Sequence, residues 1–242
     1  MRRRENRAIG RVREVITQPT YFCAVWWQEG KYGDSSRPFI PTTIITKRAN
    51  NKVMAKIALI VGSVRRDRQG IKVAHWMNEK LKNRNHMVFF IDPMELNLPL
   101  LDRMYKEMVD PSEEMKFLRN KINDAEGYLA VTPEYNHSTS SAMKNTLDYF
   151  LEEYYFKPSA IVSYSPGIFG GINAAQQLRL VFAELGAPSV SSSFPIPRVH
   201  KVFDEDGRLV DEAYEKRVSK FLVEFEWYIE ALKNQRAKGT PY

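Results

Sequence analysis

The sequence predicts an α/β fold: a doubly wound, five-stranded parallel sheet with helices on both faces. Two observations carry this. From Met54 onward, short apolar, β-branched runs alternate with segments of helical period, and such alternation builds parallel strands joined by crossover helices. The polar and glycine-rich residues of unusual type then fall just after strands one, three and four, at the carboxyl ends where a doubly wound sheet holds its ligand.

Each element follows in order. Lys56–Gly62 is the first strand, and residues 71–82 form a helix whose inner face carries Ile71, Ala74, Asn78 and Leu81. Met87–Ile91 is the second strand, followed by a leucine- and proline-rich loop to Leu101. Glu113–Ile122 is a helix, Gly127–Val131 a strand, and Ser141–Leu151 a helix with Ala142, Thr146, Leu147 and Phe150 inward. Ala160–Ser163 is the fourth strand. Asn173–Leu185 follows as a helix facing inward through Ala174, Leu178, Val181, Phe182 and Leu185. Pro188–Ser192 is expected to be the short last strand. Residues 211–234 give the clearest helical period, with Val218, Phe221, Leu222, Phe225, Ile229 and Leu232 on one stripe.

Charge divides the chain in two. Residues 1–53 hold 11 Lys/Arg against 4 Asp/Glu, whereas residues 54–242 hold 25 of each. The whole formal charge of +7 therefore lies in the N-terminal segment. The body has no net field with which to recruit nucleic acid, and no nucleic-acid partner is expected. Residues 1–53 show no sustained period and read as an irregular basic extension outside the folded unit of 54–242. An interaction arm, an organellar targeting peptide and a leader upstream of the true start at Met54 compete for it. Trp26, Trp27, Glu29 and Asp34 fit a targeting peptide poorly, so the leader is favoured and the expected location is cytoplasmic. No apolar run reaches the ~20 residues of a membrane-spanning helix. The single cysteine, Cys23, leaves no intrachain disulfide and no Cys-based zinc or iron–sulfur site. His75, His86 and His200 lack metal-ligand spacing, and no metal is expected; His137 follows Asn136 in a loop, as a substrate contact or a surface imidazole.

Three loops carry the chemistry. "GSVRRDRQG", Gly62 to Gly70, precedes a helix, and helix N-termini attract anions through free N–H groups. Ser63 adds a hydroxyl there, and Arg65, Arg66 and Arg68 add charge-assisted donors. The loop is neither the GxGxxG dinucleotide fingerprint nor a Walker loop. "TPEYNHSTSS", Thr132 to Ser141, follows strand three. Pro133 fixes its backbone, Tyr135 and Asn136 can flank and hydrogen-bond a flat ring, and Ser140 or Ser141 caps the next helix. "SYSPGIFGG", Ser163 to Gly171, follows strand four, where Gly167, Gly170 and Gly171 let a ring lie against backbone.

Taken together, Gly62-Ser63-x-Arg65, Pro133-Glu134-Tyr135-Asn136, Ser165-x-Gly167-x-x-Gly170-Gly171 and the Lys144-Asn145-x-x-Asp148 helix resemble the NADPH-dependent FMN reductase family. This is the flavodoxin-like group that includes quinone, azo and chromate reductases. The resemblance runs from about Met54 to Leu232. It implies a sheet of order 2-1-3-4-5, non-covalent FMN, NADPH or NADH as reductant, and a homodimer or homotetramer. The acceptor it implies is small: a quinone, azo compound, chromate, ferric chelate or free flavin. The site it implies comprises Ser63, Arg65, Arg68, Gln69, Gly70, Ile71, Pro133, Glu134, Tyr135, Asn136, Ser165, Gly167, Gly170 and Gly171, with the chemistry carried by FMN and no catalytic side chain. One departure stands out. Arg68 and Gly70 occupy positions where the family often has Ser and Asn at the phosphate, leaving Arg68 to supply charge and Gln69 an amide. Glu134 reads as a loop carboxylate pairing with a helix N-terminus or a neighbouring subunit, and Lys144–Asp148 as a structural i,i+4 pair. An electron carrier of flavodoxin type or a flavin-binding regulatory protein is the alternative. Carriers are usually acidic, and the neutral body argues against one.

Overall fold

The computed structural model describes residues 54–96 and 98–242; the expectation for residues 1–53 lies outside them. The strands are β1 (Lys56–Val61), β2 (Met87–Ile91), β3 (Gly127–Pro133), β4 (Ser159–Tyr164) and β5 (Phe194–Ile196). The helices are α1 (Gly70–Asn83), the single turn α2 (Pro93–Leu96), α3 (Glu113–Asp124), α4 (Ser141–Asp148), α5 (Ile172–Glu184) and α6 (Ala213–Arg236). All strand pairs are parallel, in the order β2-β1-β3-β4-β5.

β3 and β4 are buried along their whole length, which is why they read as continuous apolar runs. Their alternate residues feed two cores. Ile57, Leu59, Val61, Leu129 and Val131 pack with Val73, Met77 and Leu81 of α1 and with Phe221, Phe225 and Ile229 of α6. Ala58, Ile60, Tyr128 and Ala130 pack with Met115 and Leu118 of α3, Leu147 of α4 and Leu178 and Phe182 of α5. Each fully buried Leu, Ile or Phe contributes about 1.5–3 kcal/mol.

Three expectations need correction. The inner face of α1 is broader than a single stripe. Val73, Trp76 and Met77 are buried with Ala74 and Leu81, while Ile71 and Asn78 are only half-buried. A second wall covers the helix, since Trp76 packs against Phe194, Phe203 and Tyr214 at 5.9–6.5 Å between ring centroids. α4 stops at Asp148 rather than Leu151, because the Tyr149 carbonyl accepts the Tyr105 amide, and residues 152–154 form a separate turn of 3-10 helix. The last strand is Phe194–Ile196, not Pro188–Ser192. The earlier segment makes one bridge, Ser159 to Ser189. The Arg179 guanidinium then takes the carbonyls of Val190, Ser191 and Ser192 and draws that backbone out of the ladder. Pairing resumes at Val162–Phe194, with Pro195 tolerated because β5 is an edge.

Candidate functional site

Parallel strands point the same way, so the loops after β1, β3 and β4 leave one edge of the sheet. Side chains bind them to one another. The Ser63 and Tyr135 hydroxyls are 3.0 Å apart, joining the first loop to the second. Ser140 accepts the Met143 amide at 3.0 Å, so it, rather than Ser141, caps α4. Its hydroxyl also donates to the Gly62 carbonyl.

The first loop is anchored from within. Arg68 donates both terminal nitrogens to the Asp92 carboxylate at 2.5 Å, and one of them also to the Ser63 carbonyl at 2.7 Å. The pair is buried, with side-chain exposures of 9% and 1%. The Asp92 hydrogen bond raises the Arg68 pKa above its ordinary value. Arg68 thus meets its charge at the end of β2, while Arg65 and Arg66 stand exposed. Arg65 lies over the Tyr135 ring, 5.9 Å from its centroid. Gln69 precedes α1 without a side-chain cap, and no acidic residue occupies the first turn, so the helix N-terminus keeps its donors. Ile71 is half-buried within that turn.

Gly70 has a steric cause. A Cβ there would lie 2.0 Å from the Tyr164 hydroxyl. Tyr164 ends β4, and burial pushes its phenol well above the ordinary value, against the opposing pull of Ser63, Arg68 and Arg65. It remains a neutral donor. Neither Tyr164 nor Asp92 was singled out from sequence, although Tyr164 lies inside the quoted loop and Asp92 follows β2 directly.

In the second loop, Pro133 is buried at the end of β3. Glu134 accepts the Asn173 amide at 2.9 Å and the Ala174 amide at 3.3 Å, so it caps α5. Tyr135 and Ser138 exchange backbone hydrogen bonds across a two-residue turn. Asn136 and His137 form that turn at φ +50° and +64°, both exposed. In the third loop, Gly170 and Gly171 have φ of +63° and +80°, and a Cβ on either would strike backbone at 2.8–2.9 Å. Gly167 differs, since a Cβ there would meet only the Ser165 hydroxyl at 3.7 Å. Ile168 and Phe169 between them are exposed at 63% and 71%, an apolar surface beside the polar loops.

The remaining candidates sit apart. His75 stacks on Phe90, and His86 joins the Ala55 amide to Glu226. Lys144 and Asp148 pair at 2.5 Å on the flank of α4.

Comparison with known proteins matches residues 55–201 to the family model described as NADPH-dependent FMN reductase. An NAD(P)H-dependent FMN reductase of Nectria sp is 39% identical over 134 residues, which is 52% of this chain and 66% of that protein. A quinone reductase of Pseudomonas putida is 31% identical over 170 residues, covering 64% of this chain and 85% of the relative. Among solved structures, the flavoenzyme NAD(P)H:(acceptor) oxidoreductase FerB of Paracoccus denitrificans superposes with a TM-score of 0.61 at 25% identity. That match covers 74% of this chain and 98% of FerB.

Proposed function

The chain belongs to the NADPH-dependent FMN reductase family, and we propose that it passes reducing equivalents from NAD(P)H to a small acceptor such as a quinone, one substrate after the other at a single FMN site. The observation that carries the reading is the convergence of the three loops, tied by Ser63–Tyr135 and by the fit of Gly70 against Tyr164.

The residues present suit FMN. The uncapped start of α1 and the exposed guanidiniums of Arg65 and Arg66 form a donor set for a phosphate. Arg68 holds that loop in shape from behind, through Asp92. Gly167 and the apolar pair Ile168–Phe169 would offer a surface for a flat ring, and Tyr135 and Asn136 would supply stacking and hydrogen-bonding groups for it. When bound, FMN supplies the chemistry of accepting a hydride and releasing electrons. The protein's part is positioning and electrostatics. The Tyr164 phenol stays neutral at this edge, and Glu134 directs its charge to the start of α5. A homodimer or homotetramer in the cytoplasm accompanies this reading.

Steady-state kinetics test it. With NADPH or NADH varied at several fixed quinone concentrations, double-reciprocal plots should be parallel. Intersecting lines would mean that both substrates bind together. An FMN-loaded protein whose visible spectrum neither dinucleotide bleaches would overturn the reductase reading and favour an electron carrier.

A further inference from the structure

The segment after β5 presents a cation that the site described above does not use. Arg198 has φ +47° and ψ +46°, the left-handed region that residues bearing a Cβ disfavour. The surrounding structure imposes this. The Arg198 amide donates to the Gly167 carbonyl at 3.0 Å, and the Val199 amide to the Ser165 carbonyl at 3.1 Å. Gly170 lies so close that a Cβ there would meet the backbone of Ile196 and Pro197 at 2.8–2.9 Å. The segment is therefore bolted along the third loop, and position 198 is fixed at the rim of the site.

Backbone strain alone calls for Gly or Asn at this position. Arginine stands there instead, exposed, and it takes part in none of the ion pairs among the described residues. His200 and Lys201 beside it are also exposed. The nearest acidic stretch in the chain, Asp204–Asp206, is partly answered from its own neighbourhood. Asp204 accepts the Arg208 amide at 2.7 Å, its carbonyl takes the Lys72 ammonium at 2.7 Å, and Asp206 pairs with Arg208 at 3.2 Å. The rim at residues 198–201 is thus a cationic spot.

The geometry points to Arg198 as the residue that tells NADPH from NADH, by binding the 2′-phosphate of the adenosine ribose. This inference rests on the reductase reading. The two dinucleotides differ only in that phosphate, and a guanidinium answers it with paired, charge-assisted hydrogen bonds. Arg65 and Arg66 follow β1, three strand spacings from β5, or roughly 14 Å at the usual ~4.8 Å per strand. A cation at each end of the edge can therefore hold a different phosphate at the same time.

The test uses the FMN-loaded full chain with two probes, adenosine 2′,5′-bisphosphate and adenosine 5′-monophosphate. Their dissociation constants are measured by calorimetry, alongside kcat/KM for NADPH and NADH. The unaltered protein should prefer the bisphosphate. Arg198→Asn should cut that preference, and the NADPH/NADH ratio, roughly ten- to a hundred-fold. NADH turnover, FMN affinity and melting temperature should hold, because Asn accepts the left-handed backbone. Arg198→Gly should behave alike, and Arg198→Lys should keep part of the preference. An unaltered protein without preference, or an Asn variant that retains it, overturns the inference. So does loss of the preference in Arg66→Ala instead. If the NADPH/NADH ratio is the same whatever stands at 198, only this inference fails; if neither dinucleotide is oxidised, the reductase reading fails.

Discussion

At the scale of single residues, two arginines six residues or fewer from Gly62 have opposite circumstances, and the difference is measurable. Arg68 is buried against Asp92, whereas Arg65 is exposed beside the uncapped start of α1. Asp92→Ala leaves a buried guanidinium without its partner and should destabilise the fold by about 3–5 kcal/mol in a denaturant melt. Arg65→Ala should leave that melt unchanged. It should weaken FMN by roughly 1.5–3 kcal/mol while riboflavin, which lacks the phosphate, loses little. Equal losses for FMN and riboflavin would move the phosphate away from Arg65. The contrast also marks what a sequence can show. Arg65, Tyr135 and the glycines stand out because their type is unusual for a turn. The Arg68–Asp92 pair spans 24 positions with no local spacing to announce it. Gly70 reads as a missing Asn until Tyr164 is seen filling the space.

At the scale of elements, legibility followed the length of the apolar run. β1, β3 and β4 inside the sheet, and the edge strand β2, carry runs that place them within two residues of where they fold. β5 is a three-residue edge with a proline, preceded by four serines within Ser189–Ser193, and carries little pattern to read. Its position depends on Arg179, a helix side chain distant in sequence. A similar long-range tie docks α6. Glu226 accepts from Arg84 at 2.5 and 2.6 Å and contacts His86 at 2.8 Å, across the end of α1 and the start of β2. Burial alone would raise the Glu226 carboxyl, but the hydrogen bonds from Arg84 and His86 bring it down to about 2. A carboxyl depressed on folding stabilises the protein above its unfolded pKa of about 4.3, and the gain disappears as pH falls toward the folded value. Allowing for partial exposure, the contribution is about 1–2 kcal/mol. Glu226→Gln should therefore melt lower than the unaltered protein at pH 6, and the gap should close between about pH 4.5 and pH 2. A gap that stays constant across that range would show that Glu226 acts through packing alone.

At the scale of the whole molecule, charge divides the chain in two. Residues 1–53 carry the entire formal excess of +7, and residues 54–242 are balanced. Among the described residues, one hydrophobic core begins at Ala55 and reaches Ile229, and the other runs from Ala58 to Ala187. The three loops and the Arg198 segment also fall after Met54. A folding unit needs its own core and its own strand pairings, and we propose that residues 54–242 are such a unit. Among the described residues, the Ala55 amide is held by the His86 ring and the Ala55 carbonyl by the Met87 amide. A chain beginning at Met54 should accordingly be soluble, melt within a few degrees of the full chain, and bind FMN with the same affinity. Its NAD(P)H oxidation with a quinone acceptor should match that of the full chain at low and high salt if the basic segment has no part in gathering anionic substrate. An insoluble product, or a colourless one that cannot be reconstituted with FMN, would place residues before Met54 inside the functional unit. Turnover that falls with truncation only at low salt would instead assign the basic segment a part in gathering anionic substrate.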